Sequence, residues 1–138
     1  MRPLNSLSVM LLEDEYLIAL DAEQNLEAFG VKSVRVVNTL AGAAAIAEAG
    51  DVDVAILDLN INGEMSFEVA GMFRKKGIPI VLASGYELRD RFEPDLEGAA
   101  VHLRKPYTAE GLKNALEAAL REPVAPSGPT TEIGTQQL

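Results

Sequence analysis

The sequence predicts an α/β domain built on a doubly wound, five-stranded parallel sheet. Short apolar runs rich in Val, Ile and Leu alternate with longer segments of helical period, which is the pattern of successive βα units. That alternation repeats five times. Several of the runs are too continuously apolar to leave one face in water, as expected of central parallel strands covered by helices on both sides. The chain has 138 residues, enough for one domain whose core needs neither disulfides nor a structural metal.

The strands fall at about Ser8 to Leu12, Ser33 to Val37, Val54 to Leu57, Ile80 to Ala83 and Ala100 to Leu103. Between the first two, Ile18, Ala22, Leu26 and Phe29 share one helical face, and Gly30 follows where a helix C-terminus favours glycine. Thr39 can cap a second, Ala-rich helix that runs to about Ala49 and closes at Gly50. A third is expected from Glu64 or Ser66 to Lys76, closed by Gly77. The interval from Glu87 to Gly98 carries many charges, Pro94 and a weak period in Leu88, Phe92 and Leu96, so the fourth helix should be short, irregular or mobile. Thr108, three residues before Gly111, opens the final helix, with Leu112, Ala115, Leu116, Ala119 and Leu120 as its apolar face. Residues 1–6 read as an N-terminal extension, 7–121 as the folded domain, and the Pro-rich, weakly apolar stretch 122–138 as a disordered tail.

Composition excludes several functions. With no cysteine, a disulfide framework and thiolate zinc sites are ruled out, and a reducing cytoplasmic setting is compatible. No apolar stretch approaches the roughly 20 residues of a membrane span, and the start lacks the long apolar region of a signal peptide. A net charge of −9 without a dense Lys/Arg cluster argues against direct nucleic-acid binding.

Chemistry concentrates at the ends of the apolar runs. Glu13 and Asp14 follow Val9 to Leu12, Asp58 follows Val54 to Leu57, and Lys105-Pro106 follow Val101 to Leu103. In an open parallel sheet the carboxyl ends of different strands converge on one crevice, where ligands bind. Three carboxylates would meet one ammonium there, and the like charges would raise one another's pKa unless a divalent cation favoured the ionised forms. The pattern points to magnesium and phosphoryl chemistry.

These residues resemble the receiver domain of two-component response regulators, over about residues 7 to 121. The acidic pair Glu13-Asp14, the strand-end Asp58, the hydroxyl of Ser84 and Lys105-Pro106 stand in the family's order and at family-like spacings. The resemblance implies a flavodoxin-like (βα)5 fold with strand order 2-1-3-4-5. It implies that Asp58 accepts a phosphoryl group from a sensor histidine kinase or a histidine phosphotransfer protein, giving an aspartyl phosphate. Mg2+ would be held by Asp14, Asp58, the Asn60 main-chain carbonyl and, through a water, Glu13; such a cation keeps several waters, so few protein ligands are enough. Lys105 would pair with Asp58 and then with a phosphoryl oxygen. Ser84 would donate its hydroxyl beside the backbone N–H groups of Asn60 and Gly85.

The segment Pro79-Ile80-Val81-Leu82-Ala83-Ser84-Gly85-Tyr86 is similar to the motif of the FATGUY receiver subgroup, with Leu82 in place of Phe and Ser84 in place of Thr. Asn60-Ile61-Asn62-Gly63, without the usual proline, is also similar to that subgroup. Common receivers carry an aromatic residue three positions before the lysine; here it is His102. The resemblance therefore implies a switch and partner surface around Tyr86 and the loop after it, with His102 nearby.

Other readings of single residues stay open. Glu13 and Asp14 can favour a helix N-terminus through its dipole; Asp58 can bind a neighbouring loop; Lys105 can be a solvated residue before a turn; Ser84 can bond only backbone. His102, the only histidine, falls by alternation on a partly exposed face and is read as a packing or partner residue. Tyr86 fits either a core or a surface ring. The function expected is a stand-alone receiver that signals through a downstream protein partner, or drains phosphate from a shared kinase, and is not an enzyme on external substrates. A small phosphatase of the haloacid dehalogenase type would share the nucleophilic Asp beside magnesium, but its usual second acid is Asn60 here. A phosphorylation-independent binding module on a receiver fold is the remaining alternative.

Overall fold

Residues alternate along a strand between its two faces, so each central apolar run supplies two opposite layers of the core at once. In the computed structural model, which describes residues 3–85 and 100–121, these runs form β1 (Ser8–Leu12), β2 (Ser33–Val37), β3 (Val54–Asp58), β6 (Ile80–Ser84) and β7 (Ala100–Arg104). All pair in parallel, in the order β2-β1-β3-β6-β7. This is the 2-1-3-4-5 order expected, with two very short strands intervening in the numbering. β3, β6 and β7 each run one residue further than the apolar pattern indicated, to Asp58, Ser84 and Arg104.

One layer of the core contains Met10, Leu12, Ala55, Leu57, Ile80 and Leu82, and meets α2 (Leu40–Ala49) and α3 (Phe67–Lys75) through Ala43, Ala47, Val69 and Phe73. The other contains Val9, Leu11, Val54, Ile56, Val81 and Leu103, and meets α1 (Tyr16–Ala28) and α4 (Ala109–Arg121) through Ala22, Leu26, Leu112 and Leu116. β3 and β6 are buried throughout, which is why their sequences show no polar alternation. Leu4–Ser6 forms a single 3-10 turn, and Leu7 beyond it is fully buried.

Two helices begin as their threonines suggest: Thr39 Oγ1 accepts from Gly42 N–H at 3.0 Å, and Thr108 Oγ1 from Gly111 N–H at 2.9 Å. The other two meet expectation only in part. In α1, Ala22 and Leu26 are buried and Phe29 packs against the same core, as expected, but the first-turn core residue is Ala19, with Ile18 only half-buried. α3 begins at Phe67 with Ser66 at its N-cap position, as the later of the two expected starts has it; the earlier start fails, since Glu64–Met65 is a strand, β5, antiparallel to β4 (Asn60–Ile61). Asn62 and Gly63 turn that hairpin with φ of 52° and 89°, both positive as a two-residue type I′ turn requires. The expected fourth-helix interval, Tyr86 and the 122–138 tail lie outside the described residues. Among the described residues no helix is long and apolar enough to cross a membrane.

Candidate functional site

Because β1 and β3 are neighbours, with Leu12 beside Leu57, the residues that follow them are brought to the same edge of the sheet. One carboxylate oxygen each from Glu13, Asp14 and Asp58 lies within 4.8 Å of the others. Glu13 and Asp58 are buried, at 3% and 6% exposure, whereas Asp14 is partly open to solvent. From the end of β7, across the intervening β6, Lys105 reaches both buried acids: its Nζ lies 3.0 Å from Asp58 Oδ2 and 3.1 Å from Glu13 Oε1. Lys105 N–H donates to the Ser84 carbonyl at 2.8 Å, which ties the ends of β6 and β7 together. Ser84 is buried at the end of β6 and Gly85 follows it.

Burial sets the electrostatics. Loss of water pushes the Glu13 carboxyl up to about 7, with the charge of Asp58 adding to the rise; the bond from Glu15 N–H and the proximity of Lys105 oppose it without cancelling it. For Lys105 burial works the other way, but bonds and charge from Asp58 and Glu13 outweigh it and hold the ammonium above its ordinary range. One ammonium thus leaves the cluster short of positive charge. Its hard oxygen donors suit a divalent ion such as Mg2+ and the clustered negative charge gives such an ion a driving force, so the residues present fit the cation. Asn60 N–H is 3.4 Å from Asp58 Oδ1, close to the same carboxylate.

One expected site residue falls elsewhere. His102 is exposed on β7, paired beside Leu82 and outside the acidic cluster; Tyr86 lies outside the described residues. Three further features surround the cluster. Ser66 is fully buried and donates its hydroxyl to the Asp58 carbonyl at 2.8 Å. Asn62 N–H donates to Asp14 Oδ2 at 3.0 Å. Tyr107 joins Glu15, Leu17, Ile18, Asp21, Lys105 and Pro106 around a cavity of about 470 Å3, and its hydroxyl is pushed up to about 12 by burial, with the charge of Glu13 adding. The Asn-Gly pair carried a signal for the hairpin; Ser66 read only as a potential helix cap.

Comparison with known proteins agrees with this arrangement. The chain is 30% identical over 99 residues to the transcriptional regulatory protein TcrA of Mycobacterium tuberculosis, an alignment covering 70% of this chain and 39% of that protein, so it spans about two-fifths of the relative's length. It superposes on the solution structure of SdrG from Sphingomonas melonis Fr1 with a TM-score of 0.72 and 38% identity, covering 87% of this chain and 99% of that one. The BeF3-activated conformation of SdrG, from Pseudomonas melonis Fr1, gives 0.69 and 37%, with coverage of 87% and 98%. A response regulator receiver protein from Sinorhizobium medicae WSM419 gives 0.71 and 27%, with coverage of 86% and 97%. The model of the response regulator receiver domain matches residues 9–117, and the acidic cluster is of the kind that holds Mg2+ in such domains. This chain belongs to the response regulator receiver domain family, the phosphoacceptor modules of two-component signalling that take their phosphate from a histidine kinase or phosphotransfer protein.

Proposed function

We propose that this protein is a stand-alone receiver of the FATGUY subgroup, folded over residues 7–121 between a short extension (1–6) and a tail (122–138), in which Asp58 is the phosphoacceptor. The observation that carries the reading is the buried Asp58 carboxylate, bonded to Lys105 at 3.0 Å and sharing a 4.8 Å cluster with Glu13 and Asp14. A carboxylate oxygen of Asp58 attacks the phosphorus of a phosphohistidine. The P–N bond breaks, and its electron pair stays on the donor's imidazole. Such a transfer asks mainly for in-line positioning and charge neutralisation. Lys105 supplies one fixed positive charge and can follow the phosphoryl group as a point charge. Ser84 hydroxyl and the N–H groups of Asn60 and Gly85 complete the oxygen-binding set. Asp14, Asp58, the Asn60 carbonyl and Glu13 through a water would hold Mg2+, which neutralises phosphoryl charge when bound.

The BeF3-activated state of SdrG supports the reading, since BeF3 resembles a phosphoryl group in charge and shape. Output passes through a protein partner, with Tyr86 and His102 as switch or partner residues, or the protein acts as a phosphate sink; its setting is cytoplasmic. The test is incubation with a phosphorylated histidine kinase and magnesium. Acid-stable, alkali-labile label is expected on the wild type, absent from Asp58→Asn and lost in excess chelator. Label that persists on Asp58→Asn places the acceptor elsewhere, and a partner that binds this variant and the wild type equally would favour a phosphorylation-independent module.

A further inference from the structure

The β4–β5 hairpin reaches both acidic strand ends. At its base, Leu59 N–H still pairs with the Ala83 carbonyl at 2.9 Å, but the ladder between β3 and β1 has stopped at Leu57 and Leu12. The Asp58 carbonyl instead takes the Ser66 hydroxyl at 2.8 Å, and Ser66 N–H closes on the Leu59 carbonyl at 2.9 Å. Ser66 is fully buried, so its hydroxyl has little choice of partner. At the tip, Gly63 N–H donates to Asn60 Oδ1 at 2.9 Å, and the turn aims Asn62 N–H at Asp14 Oδ2, 3.0 Å away and 48 positions distant in the chain. A Cβ on Gly63 would have no atom within 4 Å, so its φ of 89° alone makes glycine suitable there.

We propose that this hairpin is a clasp: Asn62, Gly63 and Ser66 are positioning residues that fix Asp14 through its carboxylate and Asp58 through its backbone, and so set the affinity of the cation site. The inference rests on the magnesium role given under the proposed function. Groups that orient ligands from outside the coordination sphere typically matter by about 10- to 100-fold in metal affinity. A clasp that joins two different strand ends is placed to act in this way.

Calorimetric titration of the full chain with magnesium, without phosphodonor, tests this on wild type, Gly63→Val, Gly63→Asn and Ser66→Ala. Valine resists positive φ and asparagine tolerates it, while a Cβ meets no neighbour at this exposed turn. Gly63→Val and Ser66→Ala are expected to bind magnesium about tenfold or more weakly, and Gly63→Asn to stay within about threefold of wild type. Far-UV circular dichroism accompanies the titration, and if Ser66→Ala does not fold, the two Gly63 variants decide. Equal affinity in Gly63→Val and wild type overturns the clasp and leaves the phosphoacceptor function standing. Absence of magnesium binding by the wild type overturns that function and the clasp with it.

Discussion

Glu13 is the residue whose charge is hardest to keep. Its carboxyl, raised from 4.5 to about 7, binds its proton more tightly in the fold than in the unfolded chain. It therefore favours folding at acid pH, and that contribution is lost as pH climbs from about 4.5 through 7. Lys105, raised from 10.5, keeps its contribution throughout this window. In chelator, the wild type is expected to lose about 1–3 kcal/mol between about pH 5 and pH 8 relative to Glu13→Gln, which lacks the titration. Urea midpoints across that range measure it, and parallel profiles would assign the proton elsewhere. Magnesium should flatten the wild-type profile, because a bound cation favours the ionised carboxylate. The clustering of Asp14, Asp58 and Lys105 was legible in the sequence because each stands where an apolar run stops. The bond from Lys105 to Glu13, and the burial that raises Glu13, depend on side-chain placement across β1, β3 and β7, about which neighbouring residues carry no signal.

At the scale of elements, local chemistry fixes a helix start where a side chain has one nearby use, and leaves it ambiguous where tertiary structure claims that side chain. Thr39 and Thr108 each cap the helix they precede, as their sequences suggest. Ser66 looks similar but sends its hydroxyl to the Asp58 carbonyl, leaving α3 without a side-chain cap. Thr108→Ala should accordingly cost about 1 kcal/mol through α4, seen as a lower urea midpoint with unchanged denaturant dependence. An unchanged midpoint would show that the threonine bond contributes nothing net. The five sheet strands were legible to within one residue because continuous apolar runs have few other uses. The hairpin was not, since two-residue strands carry almost no periodicity and only Asn62-Gly63 marked the turn. The place of Ala19 in the core was hidden for another reason: a hydrophobicity pattern ranks an alanine below its neighbour Ile18.

For the whole molecule, the sheet is the wall between two cores, and the same strands belong to both. Leu57 faces α2 and α3 while its neighbour Ile56 faces α1 and α4, so neither layer can be lost without exposing the strands that carry the acidic site. A domain below about 150 residues with this organisation should unfold in one cooperative step. Phe73, on α3, is the largest fully buried side chain of the described residues. Its replacement by alanine removes an aromatic ring from one layer and should cost about 3–5 kcal/mol, a large share of the roughly 5–15 kcal/mol typical of whole domains. Leu17, 75% exposed on α1, provides the contrast, and Leu17→Ala should stay within about 0.5 kcal/mol. Urea unfolding followed by far-UV circular dichroism, together with loss of magnesium binding, measures both. Coincident transitions for the two signals in Phe73→Ala are expected, because the cation site is an edge of the same sheet. If magnesium binding disappeared well before the helical signal, the carboxyl-end loops would form a separate unit, and the site's geometry would be held by the hairpin and Lys105 more than by the two cores.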